Sequence, residues 1–154
     1  MSYIGTQPAN AVLTASDIAD GIISTAKLAT NSITGVKITD NVISGEKLLF
    51  TEITLTDGST ISWNAATAEV CKVTLAGNRT MAAPSNSTTG QFISILIIQD
   101  GTGGRTISWN AVFEFTADTA PTLTATASKG DVFVFRYNGA KWLEVGRNLN
   151  LTLS

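Results

Sequence analysis

The chain has 154 residues, with ten Lys and Arg against twelve Asp and Glu, no histidine and one cysteine. With no basic cluster, this balance argues against nucleic-acid binding; a lone cysteine excludes an internal disulfide, and the missing histidine removes the common nucleophile triads. No apolar run approaches the roughly eighteen residues of a membrane span, and no charged-then-apolar secretory signal is visible at the N-terminus.

Residues 1–8 read as an extended arm ending at Pro8, either a docking arm or a frayed terminus. From Ala9 the sequence repeats every ten residues without a gap: Ala9–Ile18, Ala19–Leu28, Ala29–Ile38 and Thr39–Leu48. The fifth position of each block holds Leu13, Ile23, Ile33 or Ile43, and the tenth holds Ile18, Leu28, Ile38 or Leu48. One large aliphatic in every five fits neither the helical period of about 3.6 nor the strand period of about 2, so the chain must change direction inside each block. Asp20-Gly21, Thr30-Asn31 and Asp40-Asn41 mark one corner. Thr14, Ser24, Thr34 and Ser44 are placed to cap a single helical turn, and Gly35 and Gly45 oppose anything longer.

Residues 9–50 therefore read as a shaft or anchor. Burying one aliphatic row does not offset the backbone entropy of ordering the whole segment, so the row calls for copies of itself in a parallel homo-oligomer. A disordered linker is the competing reading, opposed by the regular Ile positions. Blocks such as Ile18-Ala-Asp-Gly-Ile-Ile-Ser-Thr-Ala-Lys-Leu28 resemble the repeats of phage fibre proteins, including head fibres built of helix-turn-helix units. Met1-Ser-Tyr-Ile-Gly5 is similar to the start of many phage virion proteins. The resemblance implies a slender trimer with Leu13, Ile18, Ile23, Leu28, Ile33, Ile38, Ile43 and Leu48 on its axis.

From Thr51 the period becomes two, and residues 51–154 read as an all-β head. Ile53 and Leu55 alternate with threonines before the Asp57-Gly-Ser59 turn; Thr60-Ile-Ser-Trp-Asn64 follows, then strands over Glu69–Leu75, Arg79–Met81 and Gln91–Gln99. Asp100-Gly-Thr-Gly-Gly104 is a wide turn, after which Thr106-Ile-Ser-Trp-Asn110 repeats the earlier motif. Asp131–Tyr137 and Lys141–Val145 flank an Asn138-Gly139 hairpin turn. Short strands with turns at this spacing predict a β-sandwich of jelly-roll type. Phe92–Ile98 and Val132–Phe135 are apolar on both parities, so they are either central to the sandwich or covered by a neighbouring subunit. Leu75-Ala-Gly-Asn-Arg-Thr80, Ile98–Trp109, Ala120-Pro-Thr-Leu123 and Tyr137-Asn-Gly-Ala-Lys-Trp142 are similar to a module of phage tail and head appendage proteins. That resemblance implies a structural or adhesive module without a shared ligand site.

Candidate chemistry is sparse. Gly101-Thr-Gly-Gly-Arg105 lacks the Gly-Lys-Ser/Thr ending of a phosphate loop and reads as a turn. Asp57 and Asp100 sit in glycine turns but lack EF-hand spacing, leaving calcium the weaker reading. Glu114, Asp118, Asp131 and Glu144 supply carboxylates for a glycosidase pair, yet nothing in the sequence brings two together. Three glycosylation sequons, starting at Asn78, Asn86 and Asn150, carry little weight without a secretory signal. Cys71 shares parity with Val73 and Leu75 and reads as a small core residue. Trp63 and Trp109 share parity with Ile61 and Ile107, favouring the core over a sugar site. Trp142, beside the hairpin turn, is the best candidate for an exposed aromatic, with Arg136, Tyr137 and Lys141 as accompanying ligand contacts.

The expectation is a non-enzymatic, cofactor-free, homotrimeric protein on the phage particle surface, anchored to capsid or tail proteins through its N-terminal region, with neither nucleic-acid binding nor membrane insertion. Capsid decoration as a head fibre or cementing protein is the first reading. A short tail fibre or adhesin binding host surface glycan is the alternative. A glycan-cleaving depolymerase is disfavoured by size and by the missing carboxylate signature.

Overall fold

The computed structural model describes Ile23, Ser24, Ala26, Leu28, Ala29, Ile33 and residues 50–153. The chain divides into two units, Met1–Leu48 and Leu49–Ser154. In the first, Ile23, Leu28 and Ile33 of the expected axial row are exposed in the single chain. Leu13, Ile18, Ile38, Ile43 and Leu48 lie outside the described residues, as do the arm and the conformation of the ten-residue repeat.

In the second unit the described residues form nine strands and no α-helix. The strands are β1 (Ile53–Thr54), β2 (Thr60–Ile61), β3 (Val70–Leu75), β4 (Arg79–Met81), β5 (Phe92–Gln99), β6 (Ile107–Trp109), β7 (Phe113–Glu114), β8 (Lys129–Tyr137) and β9 (Trp142–Thr152); a 3-10 turn spans Thr116–Asp118. The larger sheet has the order β1-β3-β5-β8-β9-β7 and the smaller β2-β4-β6. β1, β3 and β5 pair in parallel, and so do β2, β4 and β6. The chain thus makes three similar passes: along the large sheet, round a corner, across to the small sheet, and back one strand further over. β8 then adds antiparallel to β5, β9 antiparallel to β8, and β7 parallel to β9.

The fold is mainly β as expected, but it is not a jelly roll, whose strands are antiparallel. Period-two alternation specifies which face of a strand is buried, not the direction of its neighbour. Asp57-Gly58-Ser59 looks like a hairpin turn but is a corner between the two sheets. The chain between β1 and β3, and between β3 and β5, is long enough for the return that parallel pairing requires. The Asn138-Gly139 hairpin is where the sequence puts it, with Gly139 at φ +101° and β9 running on to Thr152.

Between the sheets, Ile61, Trp63 and Met81 form one buried cluster with Val73, Leu75, Ile95, Phe133 and Phe135. The repeated Thr-Ile-Ser-Trp-Asn motif supplies β2 and β6, which flank β4, but the copies are out of step. Ile61 pairs with Met81, and Met81 pairs with Trp109 rather than Ile107. The third corner is longer: Gly103 and Gly104 lie at φ +74° and +72°, and a Cβ on Gly103 would fall 2.5 Å from the Ala125 carbonyl oxygen. Trp63 is fully buried, its Nε1 donating to the Ala68 carbonyl at 2.7 Å.

Polar side chains join the corners. Asp57 accepts from Arg79 at 2.7 and 2.6 Å and from the Ala76 amide at 3.3 Å, tying the first corner to the second. Asn78 Oδ1 accepts from the Thr106 amide at 3.1 Å, tying the second to the third. Asp100 accepts from the amides of Thr102 and Gly103 and from Arg105, closing the third corner on itself.

The Arg79 guanidinium holds the Asp57 carboxyl below its usual range, against the opposing effect of burial. A depressed folded pKa contributes stability that is present above the unfolded value of about 3.9 and is lost as pH falls through the folded value. Asp57→Asn is expected to cost about 1 kcal/mol at neutral pH. In urea titrations the gap between variant and parent should narrow at about pH 3. An equal gap at both pH values would show that the carboxylate charge is not what ties the corners.

Candidate functional site

Three turns bring polar groups to one end of the sheets. Leaving β6, the chain turns at Asn110, whose Oδ1 accepts from the Val112 amide at 3.0 Å and whose carbonyl accepts from Phe113 N at 3.0 Å. β7 places Glu114 beside Leu143 of β9. The 3-10 turn follows, with Ala117 and Asp118 both in the left-handed region at φ 55° and 54°, and it swings Asp118 back to within hydrogen-bonding reach of Glu114. In the β8–β9 hairpin turn, Asn138 Oδ1 accepts from the amides of Ala140 and Lys141, which presents Lys141 to Glu114 in an ion pair.

The result is a cleft of about 350 Å³ with Asn110, Glu114, Asp118 and Lys141 on its walls and Trp109, Phe113 and Phe115 beneath. The floor is rigid. Trp109 meets Phe113, Phe115 and Phe133 edge-on at ring distances of 5.0, 5.3 and 5.3 Å. Its Nε1 is buried with no hydrogen-bond partner. Lys141, and then the hydrogen bond from Asp118, hold the Glu114 carboxyl below its usual range. The same hydrogen bond and the Glu114 charge push Asp118 upward. Of the pair, Asp118 therefore takes the proton first on acidification.

The four carboxylates named from sequence now separate. Glu114 and Asp118 come together. Asp131 is buried, accepting from Thr124 N and Oγ1, both at 2.7 Å, and from Asn150 N at 2.9 Å. Glu144 pairs with Arg147 at 2.8 Å. Glu114 and Asp118 share the wall of one cleft, where each perturbs the other's protonation. The cleft sets carboxylate and ammonium groups over aromatic side chains.

Of the expected ligand contacts, Lys141 alone lines this cleft. Arg136 is exposed on the outer face of the larger sheet, across from Phe92. Tyr137 lies tilted against Trp142 at a ring distance of 4.8 Å and donates its hydroxyl to the Gly139 carbonyl at 3.0 Å. Trp142 is buried at 1% exposure, which corrects the expectation of an exposed aromatic. It pairs with Tyr137 on one side and with Phe113 of β7 on the other, so both neighbouring strands cover it. Glu114 and Asp118 as a pair escaped the sequence reading because the partners meet only through a turn in left-handed backbone and a strand pairing.

Other sequence candidates resolve into structure. Asp57 and Asp100 are committed to arginines and backbone amides. Among the described residues no three Cys, Asp or Glu side chains are grouped to hold a metal ion. Burial, followed by the charge of Glu52, pushes the Cys71 thiol up to about 12, far from a reactive thiolate. No helix among the described residues is long and apolar enough to cross a membrane.

No curated protein and no solved structure matches the chain. Residues 51–142 match the family model described as "Putative phage tail fibre C-terminal domain". The match runs from the start of the β unit to the first residue of β9 and takes in every wall and floor residue of the cleft. This is a phage appendage protein of a structural family, and the chain belongs to the phage tail fibre C-terminal domain family.

Proposed function

We propose that this protein is a homotrimeric short tail fibre or adhesin whose β head binds a host surface glycan in the Glu114–Asp118–Lys141 cleft. The observation that carries the reading is the family match over residues 51–142, which is to a tail fibre domain and favours the tail over capsid decoration. Capsid decoration is favoured by a chain short for a complete tail fibre and by the lack of an obvious sugar site in the sequence. The repeats serve either location as an anchor and trimer axis.

The cleft supplies complementary chemistry. Ionised Glu114 and Asp118 accept hydrogen bonds from sugar hydroxyls, the Lys141 ammonium donates to ring and hydroxyl oxygens, and the aromatic floor meets apolar C–H faces. Each site is shallow and weak by itself. Three copies on one axis raise the effective concentration of the second and third contacts, so weak sites yield firm attachment.

Light scattering on the full chain is expected to give the mass of three chains; a monomeric mass overturns the trimer. In binding assays the full chain should hold host cells and not undecorated capsids. Lys141→Ala and Glu114→Gln should each reduce cell binding by about tenfold or more, because a modest loss per site compounds across three. Capsid binding without cell binding would return the protein to decoration.

The titration order adds a pH signature. As pH falls through the raised Asp118 pKa, Asp118 gains a proton and donates to Glu114, so two acceptors for hydroxyls are lost together. Cell binding should weaken on acidification, and Asp118→Asn should remove most of that dependence. Parallel pH profiles for parent and variant would show that the carboxyl pair does not touch the ligand.

A further inference from the structure

The inner face of β5 is closed: Ile93, Ile95 and Ile97 are at most 2% exposed. Its outer face is not. Phe92, Leu96 and Ile98 alternate with those buried residues, and Phe92 is 55% exposed. Neighbouring strands extend the surface. Strand register puts Val70, Ser94 and Val134 in one row and Lys72, Leu96 and Val132 in the next. A groove of about 370 Å³ runs between Phe50, Val70, Phe92 and Val134. Half-solvated sheets carry polar residues on the wet face; this one carries aliphatic and aromatic side chains beside Lys72, Thr74, Ser94 and Arg136.

The charges at its margin are informative. Lys72 is ion-paired with Glu52 at 2.6 Å. At the Phe92 end, Glu69 lies before β3 and lines the groove, while Arg136 lies on β8 directly across from Phe92. The two stand on opposite sides of β5, and neither is ion-paired within the described residues. One acid on one flank and one base on the other is a pattern that complements itself under rotation.

We infer that this outer face is a seam between copies of the chain, in which Glu69 of one copy meets Arg136 of the next round a common axis. The inference rests on the homotrimer proposed above and adds to it a contact made by the heads themselves. Four strands at a spacing of about 4.8 Å, each about eight residues long at about 3.3 Å, give a footprint of about 500 Å². Round a threefold axis each face is shared between two neighbours, so each contact buries about 500 Å², and the seam adds to the repeat axis rather than standing alone. A like copy also matches the margin's charge, whereas an anionic membrane surface would favour a basic rim. Three faces turned inward bring each Glu69 to a neighbouring Arg136, and no charge is left over.

The test uses the full chain. Glu69→Arg is expected to raise the dissociation constant of the trimer by about tenfold or more in sedimentation runs over a concentration series, because it sets like charges together. Adding Arg136→Glu should restore it. Both positions lie at the surface, so neither change needs to alter the fold. Independently, Ser94→Cys places a thiol in the middle of the face, with buried Cys71 as the silent background. Its maleimide labelling should be slow in the trimer and speed up on dilution. A trimer with fast labelling, and no effect of Glu69→Arg, overturns the head seam while leaving the repeat axis standing. A monomer overturns both. Slow labelling in a monomer would mean that residues 1–49 of the same chain cover the face, and would also overturn the seam.

Discussion

Parallel strand pairing obliges the chain to come back to its starting side after every pass, and the polar corners hold successive returns in register. Asp57 reaches Arg79, and Asn78 reaches the Thr106 amide, so each corner is fastened to the next by a side chain. The pairings of β2 with β4 and of β4 with β6 are short, with two and three residue pairs. Strands this brief have little side-chain surface to define their own register. The corners supply that definition from outside the ladder. The same constraint accounts for the offset of the repeated motif: the third corner is longer, its glycines take up left-handed backbone, and Trp109 arrives opposite Met81.

That offset has consequences for the rest of the unit. Trp63 finds a carbonyl for its indole nitrogen and seals the first pass. Trp109, level with Ile61 and so two residues short of Trp63 in the sheet, leans on Phe113, Phe115 and Phe133 instead. An aromatic cluster of this kind gains from edge-to-face geometry as well as from burial. It helps to fix β7 and the turn after it, whose ladder to β9 has only two residue pairs. The cleft is therefore positioned by core packing, although none of its charged residues belongs to the core.

Strands β3 and β5 and the β8–β9 hairpin were legible in the sequence because their signals are local: alternation within six to nine residues and a two-residue turn. Neighbour direction was not legible, because alternation is the same in parallel and antiparallel sheets. Trp142 was misjudged for a related reason. Its place beside a tight turn suggests exposure, but what covers it is Phe113, brought back by a parallel strand pair no local pattern announces. The ion pair of Lys141 with Glu114 spans 27 residues of sequence and exists only after β7 has docked on β9. The two-sided apolar character of Phe92–Ile98 was readable, and the structure leaves its outer half open among the described residues.

The placement of the cleft bears on how such a head serves recognition. Glu114, Asp118 and Lys141 sit at the ends of short elements and in turns, and none contributes to a corner or to the buried cluster. Their side chains can change without disturbing a register or a pass. Phe113 and Trp142, their neighbours in sequence, cannot change so freely, because they lock β7 to β9 in the core. The one local penalty is the left-handed backbone at Ala117 and Asp118, of the order of 1–2 kcal/mol per residue for a non-glycine side chain. The buried ring of Phe115 anchors that turn and offsets the strain. What the strained turn achieves is the return of Asp118 to Glu114, a contact with no role in holding the sheets together. The strain at Ala117 and Asp118 thus assembles polar groups at the surface, over an aromatic floor, without contributing to the sheets.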